Sequence, residues 1–275
     1  MIPKIGAHVS ISGGYTAGLQ SIKDKGGNCL QIFSSSPRDW KPPVISEDQI
    51  AEFKKRKEQL RIDPIYFHAS YLINLANPDR GGDASVHSLV HELNLASMLE
   101  VSGSIIHLGS FTNGNYATLI ENCTKVLSQT PEDTVFIIEN AGTHKIGTTL
   151  EEIGSVVHDL SSSRVTVCLD TCHLHAAGYD LSTNEKFETF LSVFDKKIGL
   201  DRIELFHVND SKDEFLSNRD RHENIGEGKI SQEVFRILTN HPQTKNFPFI
   251  IETPGFDKKG PDKKNIDILK GFIHE

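Results

Sequence analysis

Apolar residues fall along the chain in short continuous runs that alternate with amphipathic stretches. Eight runs read as strands: Ile5–Val9, Cys29–Phe33, Ile65–His68, Ser104–His107, Val135–Glu139, Val165–Asp170, Ile203–His207 and Phe247–Glu252. They are apolar without alternation, the pattern of parallel strands buried on both faces. The stretches between them carry helix signals. Ser46-Glu47-Asp48-Gln49 is a capping box opening a helix with Ile50, Phe53, Lys57 and Leu60 on related faces, and Thr149-Leu150-Glu151-Glu152 is another capping box. Val86, Leu89, Val90 and Leu93 form a stripe of helical period, and further helices are predicted from Ser231 (Val234, Phe235, Leu238) and from Asn265 (Ile266, Ile268, Leu269, Phe272). Eight strand–helix alternations in 275 residues predict one α/β domain over 1–275, a closed (β/α)8 TIM barrel, a fold that usually takes about 250 residues. A doubly wound open sheet is the competing arrangement. No linker, low-complexity tract or composition break divides the chain. Its longest irregular stretch, 208–229, exceeds the usual loop length and so points to function.

The polar residues that interrupt this pattern fall at strand ends. His68, His107, Glu139, Asp170, His207 and Glu252 each finish a run. In a barrel the active site lies at the C-terminal ends of the strands, so these six side chains should ring one pocket. Three imidazoles and three carboxylates with no basic residue among them cannot stay charged and buried without cations. Divalent metal ions resolve this, and mixed His/carboxylate ligands suit zinc or another borderline transition metal.

Two local motifs add candidates. Asp170 and His173 are three apart just past a strand, where one helical turn brings them to one side. Asp220 and His222 are two apart in the long loop, pointing the same way if extended. Other histidines read differently. His87 and His91 are four apart on a helix but lie off its apolar stripe, as on a solvated face. His8 ends the first strand and can either support the ligands or join them. His175 points away from His173 in a helix or a strand, and His144, His158, His241 and His274 carry no pattern.

Hydrophobic residues make up 37% and charged residues 24%, which excludes general disorder. No apolar run approaches the roughly 18 residues of a membrane span, so no membrane partner is expected. The start, MIPKIGAHVS, does not read as a signal peptide. Four cysteines (29, 123, 168 and 172) are too few for a disulfide framework and fit a reduced, cytoplasmic protein, with Cys168 in strand core. The net charge of −8 argues against a uniformly basic nucleic-acid surface. Three bound divalent cations would leave about −2, so nucleic acid is not excluded. No Walker loop, GxGxxG or GxSxG occurs.

Taken together, IGAHVS (5–10), HASYLINLA (68–76), IEN (138–140), LDTCH (169–173), FHVNDSK (206–212), DRHENIGEG (220–228) and IIETP (250–254) resemble the endonuclease IV family of apurinic/apyrimidinic endonucleases. The resemblance covers nearly the whole chain, in order. It implies a zinc-dependent (β/α)8 barrel that repairs abasic sites in DNA, a hydrolase of ester bonds of the deoxyribonuclease IV (phage-T4-induced) type. It implies three zinc ions: one held by His68, His107 and Glu139; a second sharing Glu139 and completed by Asp170, His207 and Glu252; a third held by His173, Asp220 and His222. A hydroxide between the two ions that share Glu139 would be the nucleophile, oriented by Glu139 as the catalytic residue. The third ion would stabilise the leaving 3′-oxygen. The implied products are a 3′-hydroxyl and a 5′-deoxyribose phosphate.

The implied partner is double-stranded DNA containing an abasic site, bound by a monomer. Arg38, Tyr71 and Leu72 match the positions that the family inserts into DNA, filling the gap left by a flipped-out nucleotide. Asn74, Asn209 and Lys212 are expected to contact phosphates, and Gln31 either to support the ligands or to face the backbone. The chain departs from the family at His107-Leu108-Gly109, where HPG is usual. A second departure is the stretch after Glu139, which is one residue shorter and lacks a glutamine. Ala69 replaces an Asp seen in some members. Two rival readings remain: a divalent-metal sugar isomerase, which needs only two metals and leaves Asp220 and His222 unexplained, and a barrel that binds DNA or metal without catalysis.

Overall fold

The computed structural model describes residues 3–142 and 144–273. Strands β1 (Ile5–His8), β2 (Cys29–Phe33), β3 (Ile65–His68), β4 (Gly103–Ile106), β5 (Val135–Glu139), β6 (Val165–Asp170), β7 (Ile203–His207) and β10 (Phe249–Ile251) pair in parallel. They close in the order β1-β10-β7-β6-β5-β4-β3-β2, which excludes the open sheet. The two short strands β8 (Asp210–Ser211) and β9 (His222–Glu223) form a separate antiparallel hairpin inside the long loop. The sequence pattern does not predict it.

Where strand limits differ from the expected ones, local bonding explains it. Pro248 has no N–H to give a ladder, so the last barrel strand starts at Phe249, two residues later than expected. It stops before Glu252 because the Glu252 N–H donates instead to the Asn209 side chain at 2.7 Å. The fourth strand begins at Gly103, where a Cβ would stand 2.1 Å from the Val135 carbonyl oxygen.

Helices α1 (Tyr15–Asp24), α2 (Glu47–Leu60), α3 (Arg80–Leu99), α4 (Tyr116–Ser128), α5 (Leu150–Leu160), α6 (Thr171–Ala177), α7 (Asn184–Lys197), α8 (Gln232–Asn240) and α9 (Lys263–Gly271) follow in chain order. Both expected capping boxes are formed, at Ser46/Gln49 and Thr149/Glu152. The α3 stripe buries Leu89, Leu93, Ala96 and Leu99 against the strands. Each fully buried aliphatic side chain of Leu size stabilises the fold by about 1.5–3 kcal/mol.

Strand residues of the other facing fill the barrel with Cys29, Tyr66, Ile105, Ile137, Cys168, Leu205 and Ile250, so Cys168 is core as expected. All four cysteines are free and buried. This packed plug closes the barrel from within and leaves the C-terminal strand ends as the face on which polar groups gather. No helix among the described residues is long and apolar enough to cross a membrane.

Candidate metal centre

The six strand-end residues converge as the barrel requires, and the two local motifs join them. Among the described residues the three expected sets of ligand atoms each lie within 4.8 Å of one another: His68, His107 and Glu139; Glu139, Asp170, His207 and Glu252; His173, Asp220 and His222. A fourth grouping, Asp170, Cys172 and His222, overlaps the last two and adds a buried thiol that the sequence reading does not include. Glu139 belongs to two sets. Its Oε2 stands 3.2 Å from His68 Nε2 and from His107 Nε2, and its Oε1 stands 3.0 Å from His207 Nδ1. His173 Nε2 and His222 Nε2 lie 3.0 and 3.4 Å from Asp220 Oδ1. Two ligand atoms each about 2.0–2.2 Å from one tetrahedral ion stand roughly 3.4 Å apart, so these separations suit shared ions.

Local structure aims each group. Asp170 ends β6 and is also the N-cap of α6, its Oδ1 accepting from the His173 N–H at 2.9 Å. One turn of helix therefore carries Asp170 and His173 to one side, as the spacing predicts. The loop bearing the other pair folds around Asp210, which accepts from the N–H groups of Gly226, Gly228 and Ile230. Ser211 pairs with His222 across the hairpin. The intervening Arg221 turns away to Asp213, donating from Nε to Oδ2 at 2.7 Å.

Neighbouring acceptors leave three of the imidazoles with one nitrogen for the site. His68 Nδ1 is 2.9 Å from the Ala69 carbonyl, His173 Nδ1 is 2.9 Å from the Asn140 carbonyl, and His207 Nε2 is 2.6 Å from Gln31 Oε1. Such outer contacts set the tautomer and orientation of metal-binding histidines. His173 Nε2 and His222 Nε2 are buried and face Asp220 without a well-aligned hydrogen bond, as nitrogens turned to a shared ion would be. Asp220 stands at the rim, while Glu139, Asp170 and His207 are fully buried.

The charges are mutually dependent. Burial opposes ionisation of Glu139, yet the histidines at 107 and 207 hold its carboxyl well below the usual range. Glu252 is likewise held low, against burial, chiefly by His207. Burial opposes the charge on His173, but Asp170 and Asp220 raise it to about 10. Burial dominates at His107, which falls to about 4 despite Glu139. Lacking metal, the site must recruit protons to stay neutral, which is the chemistry of a cation site.

The supporting residues are mostly ones the sequence marks only as polar. Gln31 is buried and donates from Nε2 to Glu252 Oε1 at 2.6 Å. His8 Nδ1 lies 3.2 Å from the same oxygen, so His8 touches a ligand candidate and stands in none of the three sets. Asn140 was not expected here: its Oδ1 accepts from the Asp170 N–H at 2.6 Å. Nothing in its sequence position signals this beyond its following Glu139. His175 packs edge-on against Phe215, away from the cluster, and His87 and His91 lie on α3 outside every set.

Among the expected DNA contacts, Arg38, Tyr71 and Leu72 are exposed, and Tyr71 lines the same cavity of about 540 Å³ as the metal-type ligands. The Ser70 hydroxyl donates to the Pro37 carbonyl at 2.8 Å and ties their two loops together. Lys212 is exposed beside the hairpin, 4.0 Å from Glu223. Asn74 is half-buried, and its Oδ1 accepts from the N–H groups of Ala76 and Ser110. Asn209 requires a correction. It is fully buried and its amide is engaged at both ends, to Asp170 and to the Glu252 N–H, so it cannot reach a phosphate and instead orients two ligand candidates.

The departures at 107–109 and after Glu139 are absorbed by packing. Leu108 is buried, and its carbonyl accepts from the Leu75 N–H at 3.0 Å, which holds the turn without proline. The segment after Glu139 is closed by the Ala141 N–H to the Gly147 carbonyl and by the Ile146 N–H to the Gly109 carbonyl. Thr143 lies outside the described residues.

Residues 19–272 match the family model described as a xylose isomerase-like TIM barrel. The chain is 37% identical over 257 residues to a probable endonuclease 4 of Natronomonas pharaonis, covering 91% of this chain and 92% of the relative. It is 36% identical to a probable endonuclease 4 of Halothermothrix orenii, covering 97% and 99%. The crystal structure of endonuclease IV from Thermus thermophilus superposes with a TM-score of 0.87 at 32% identity, covering 98% of each chain. A D-psicose 3-epimerase from Clostridium cellulolyticum is 18% identical at a TM-score of 0.67, covering 96% of this chain and 89% of that one, a likeness of fold alone. With these sequence and structural matches over nearly its whole length, the chain belongs to the endonuclease IV family of xylose isomerase-like TIM barrels.

Proposed function

We propose that the protein is a DNA-repair endonuclease that hydrolyses the phosphodiester bond 5′ to an abasic site, leaving a 3′-hydroxyl and a 5′-deoxyribose phosphate. The observation that carries this reading is the convergence of nine side chains into three metal-type sets, two of them sharing Glu139. The donor sets fit three zinc ions: imidazole and carboxylate, with the Cys172 thiol beside Asp170 and His222, and with buried nitrogens on His173 and His222 that lack a well-formed hydrogen bond. When bound, such ions lower the pKa of water toward about 7 and neutralise charge on the entering and leaving oxygens of an in-line displacement.

The chain's own residues do the rest. Glu139, shared and fully buried, orients the nucleophilic water. His173, Asp220 and His222 form the rim set, on the side assigned to the leaving 3′-oxygen. Tyr71 lines the cavity, and with the exposed Leu72 and Arg38 it fills the space vacated by the flipped-out abasic nucleotide. Asn74 and Lys212 lie on loops of the same face and meet backbone phosphates. We assign the activity to a monomer in the cytoplasm, where the free cysteines stay reduced.

The sugar-isomerase alternative uses two metals and leaves the third set without a task. Replacing His222 separates the two. His222→Ala is expected to bind two zinc ions in place of three and to lose most cleavage of an abasic duplex. Undiminished cleavage by that variant would contradict a three-metal reaction.

A further inference from the structure

The cavity at the strand ends is lined by anionic and imidazole groups and, among the described residues, by a single lysine or arginine, Lys258. It lies on the loop between β10 and α9, in the same lining as Glu252, and no ion pair forms to it among the described residues. Its neighbour Lys259 faces differently: it lines the adjoining groove of about 780 Å³ and pairs with Asp257 at 3.8 Å. Gly260 and Pro261 belong to both cavities, so the loop is a ridge between them.

This ridge is a built element. The Gly260 N–H donates to the Pro254 carbonyl at 2.9 Å and the Lys258 N–H to the Gly255 carbonyl at 3.1 Å. The Phe256 N–H donates to Asp262 Oδ2 at 2.7 Å, and the Lys264 ammonium sits 3.4 Å from the centre of the Phe256 ring. At Gly255 (φ 79°) a Cβ would stand 2.1 Å from the Gly260 carbonyl oxygen, so the neck of the loop needs glycine. Lys258 itself is held at φ 63°, a left-handed conformation that L side chains rarely adopt and that costs about 1 kcal/mol or more. The loop thus holds a lysine in an unfavourable backbone state with its ammonium unpaired, at the mouth of a pocket whose own walls carry carboxylates.

We propose that Lys258 binds a backbone phosphate of the damaged strand beside the abasic nucleotide, acting as a positioning residue at the metal cavity. The inference rests on the function proposed above. An ammonium is a point-charge partner for a phosphate and needs no bidentate geometry, so a loop-borne lysine suffices. The strand would cross the ridge at this point, because the ridge separates the metal cavity from the groove alongside it.

The test uses the zinc-loaded full chain and a duplex with one tetrahydrofuran abasic analogue, comparing wild type, Lys258→Met, Lys258→Arg and Lys259→Met. Neutralising one phosphate contact should reduce the slope of log affinity against log salt by about 1 and raise KM roughly fivefold to tenfold. In Lys258→Met we expect that change with kcat and zinc content near wild type, restoration by Lys258→Arg, and a smaller effect of Lys259→Met. An unchanged slope and KM in Lys258→Met, or an equal loss in Lys259→Met, would overturn the assignment. Failure of the wild-type protein to cut the duplex would defeat the parent reading and this one with it; failure confined to the comparison defeats this one alone.

Discussion

The Asn209 carboxamide donates to Asp170 Oδ2 at 2.6 Å, while its oxygen accepts from the Glu252 N–H at 2.7 Å. The Thr171 hydroxyl accepts from the Asn209 N–H at 2.9 Å. One buried amide therefore sets two members of the set that Glu139 and His207 complete. Loss of such a support typically costs about 10–100-fold in metal affinity. Asn209→Ala should weaken that set by this amount in a chelator competition while the barrel stays folded. Unchanged affinity would show that the strand ends alone position Asp170 and Glu252.

Gly109 is held at φ 104°, and a Cβ there would stand 2.3 Å from Asn74 Oδ1 and 2.6 Å from Asn74 Cα. Asn74 cannot retreat freely, because its side chain accepts from two N–H groups. Gly109→Ala should lower stability in chemical denaturation by about 1–3 kcal/mol from the backbone conformation alone, and more if the overlap is not relieved. It should also disturb the turn that carries His107. Stability equal to wild type would mean that the turn has another accessible conformation.

Glu92 on α3 is buried and accepts hydrogen bonds from the hydroxyls of Ser34 and Ser104. Burial raises its pKa above the ordinary 4.5, against those two hydrogen bonds. A raised carboxyl contributes stability that is complete below its unfolded pKa and is lost as pH rises through its folded pKa. Glu92→Gln, which cannot ionise, should therefore gain in Tm relative to wild type as pH rises from 4.5 to 8. A difference that stays flat over this range would contradict a strained carboxylate.

Tyr71 and Leu72 are 64% and 39% exposed, so trimming them removes little core. Stacking of an aromatic ring on a base is worth about 1–3 kcal/mol. Tyr71→Ala should weaken binding of an abasic duplex accordingly, with zinc content and melting temperature near wild type. Equal loss of binding to undamaged duplex would argue for a general contact in place of lesion recognition.

Much of this site was legible in the sequence because its polar residues end apolar runs, where barrel topology alone brings them together. His68, Glu139, Asp170 and His207 are final strand residues, and His107 and Glu252 lie one position beyond. The His173 position followed from helical spacing, and the N-cap at Asp170 realises it. The hairpin carrying His222 was not legible, since its two-residue strands, Asp210–Ser211 and His222–Glu223, are polar and have no hydrophobic period. Asn209 was misplaced for a related reason: a polar residue just past a strand end can face solvent or ligands, and only its burial decides. Lys258 gave no signal because its position depends on how the 254–260 loop closes on itself.

The central claim is hydrolytic incision at abasic sites. The most direct measurement incubates the zinc-loaded protein with an end-labelled duplex carrying one tetrahydrofuran analogue, which cannot undergo β-elimination. The account predicts a single cut immediately 5′ to the analogue, leaving a 3′-hydroxyl. An intact duplex, with three zinc ions measured per chain, would contradict it.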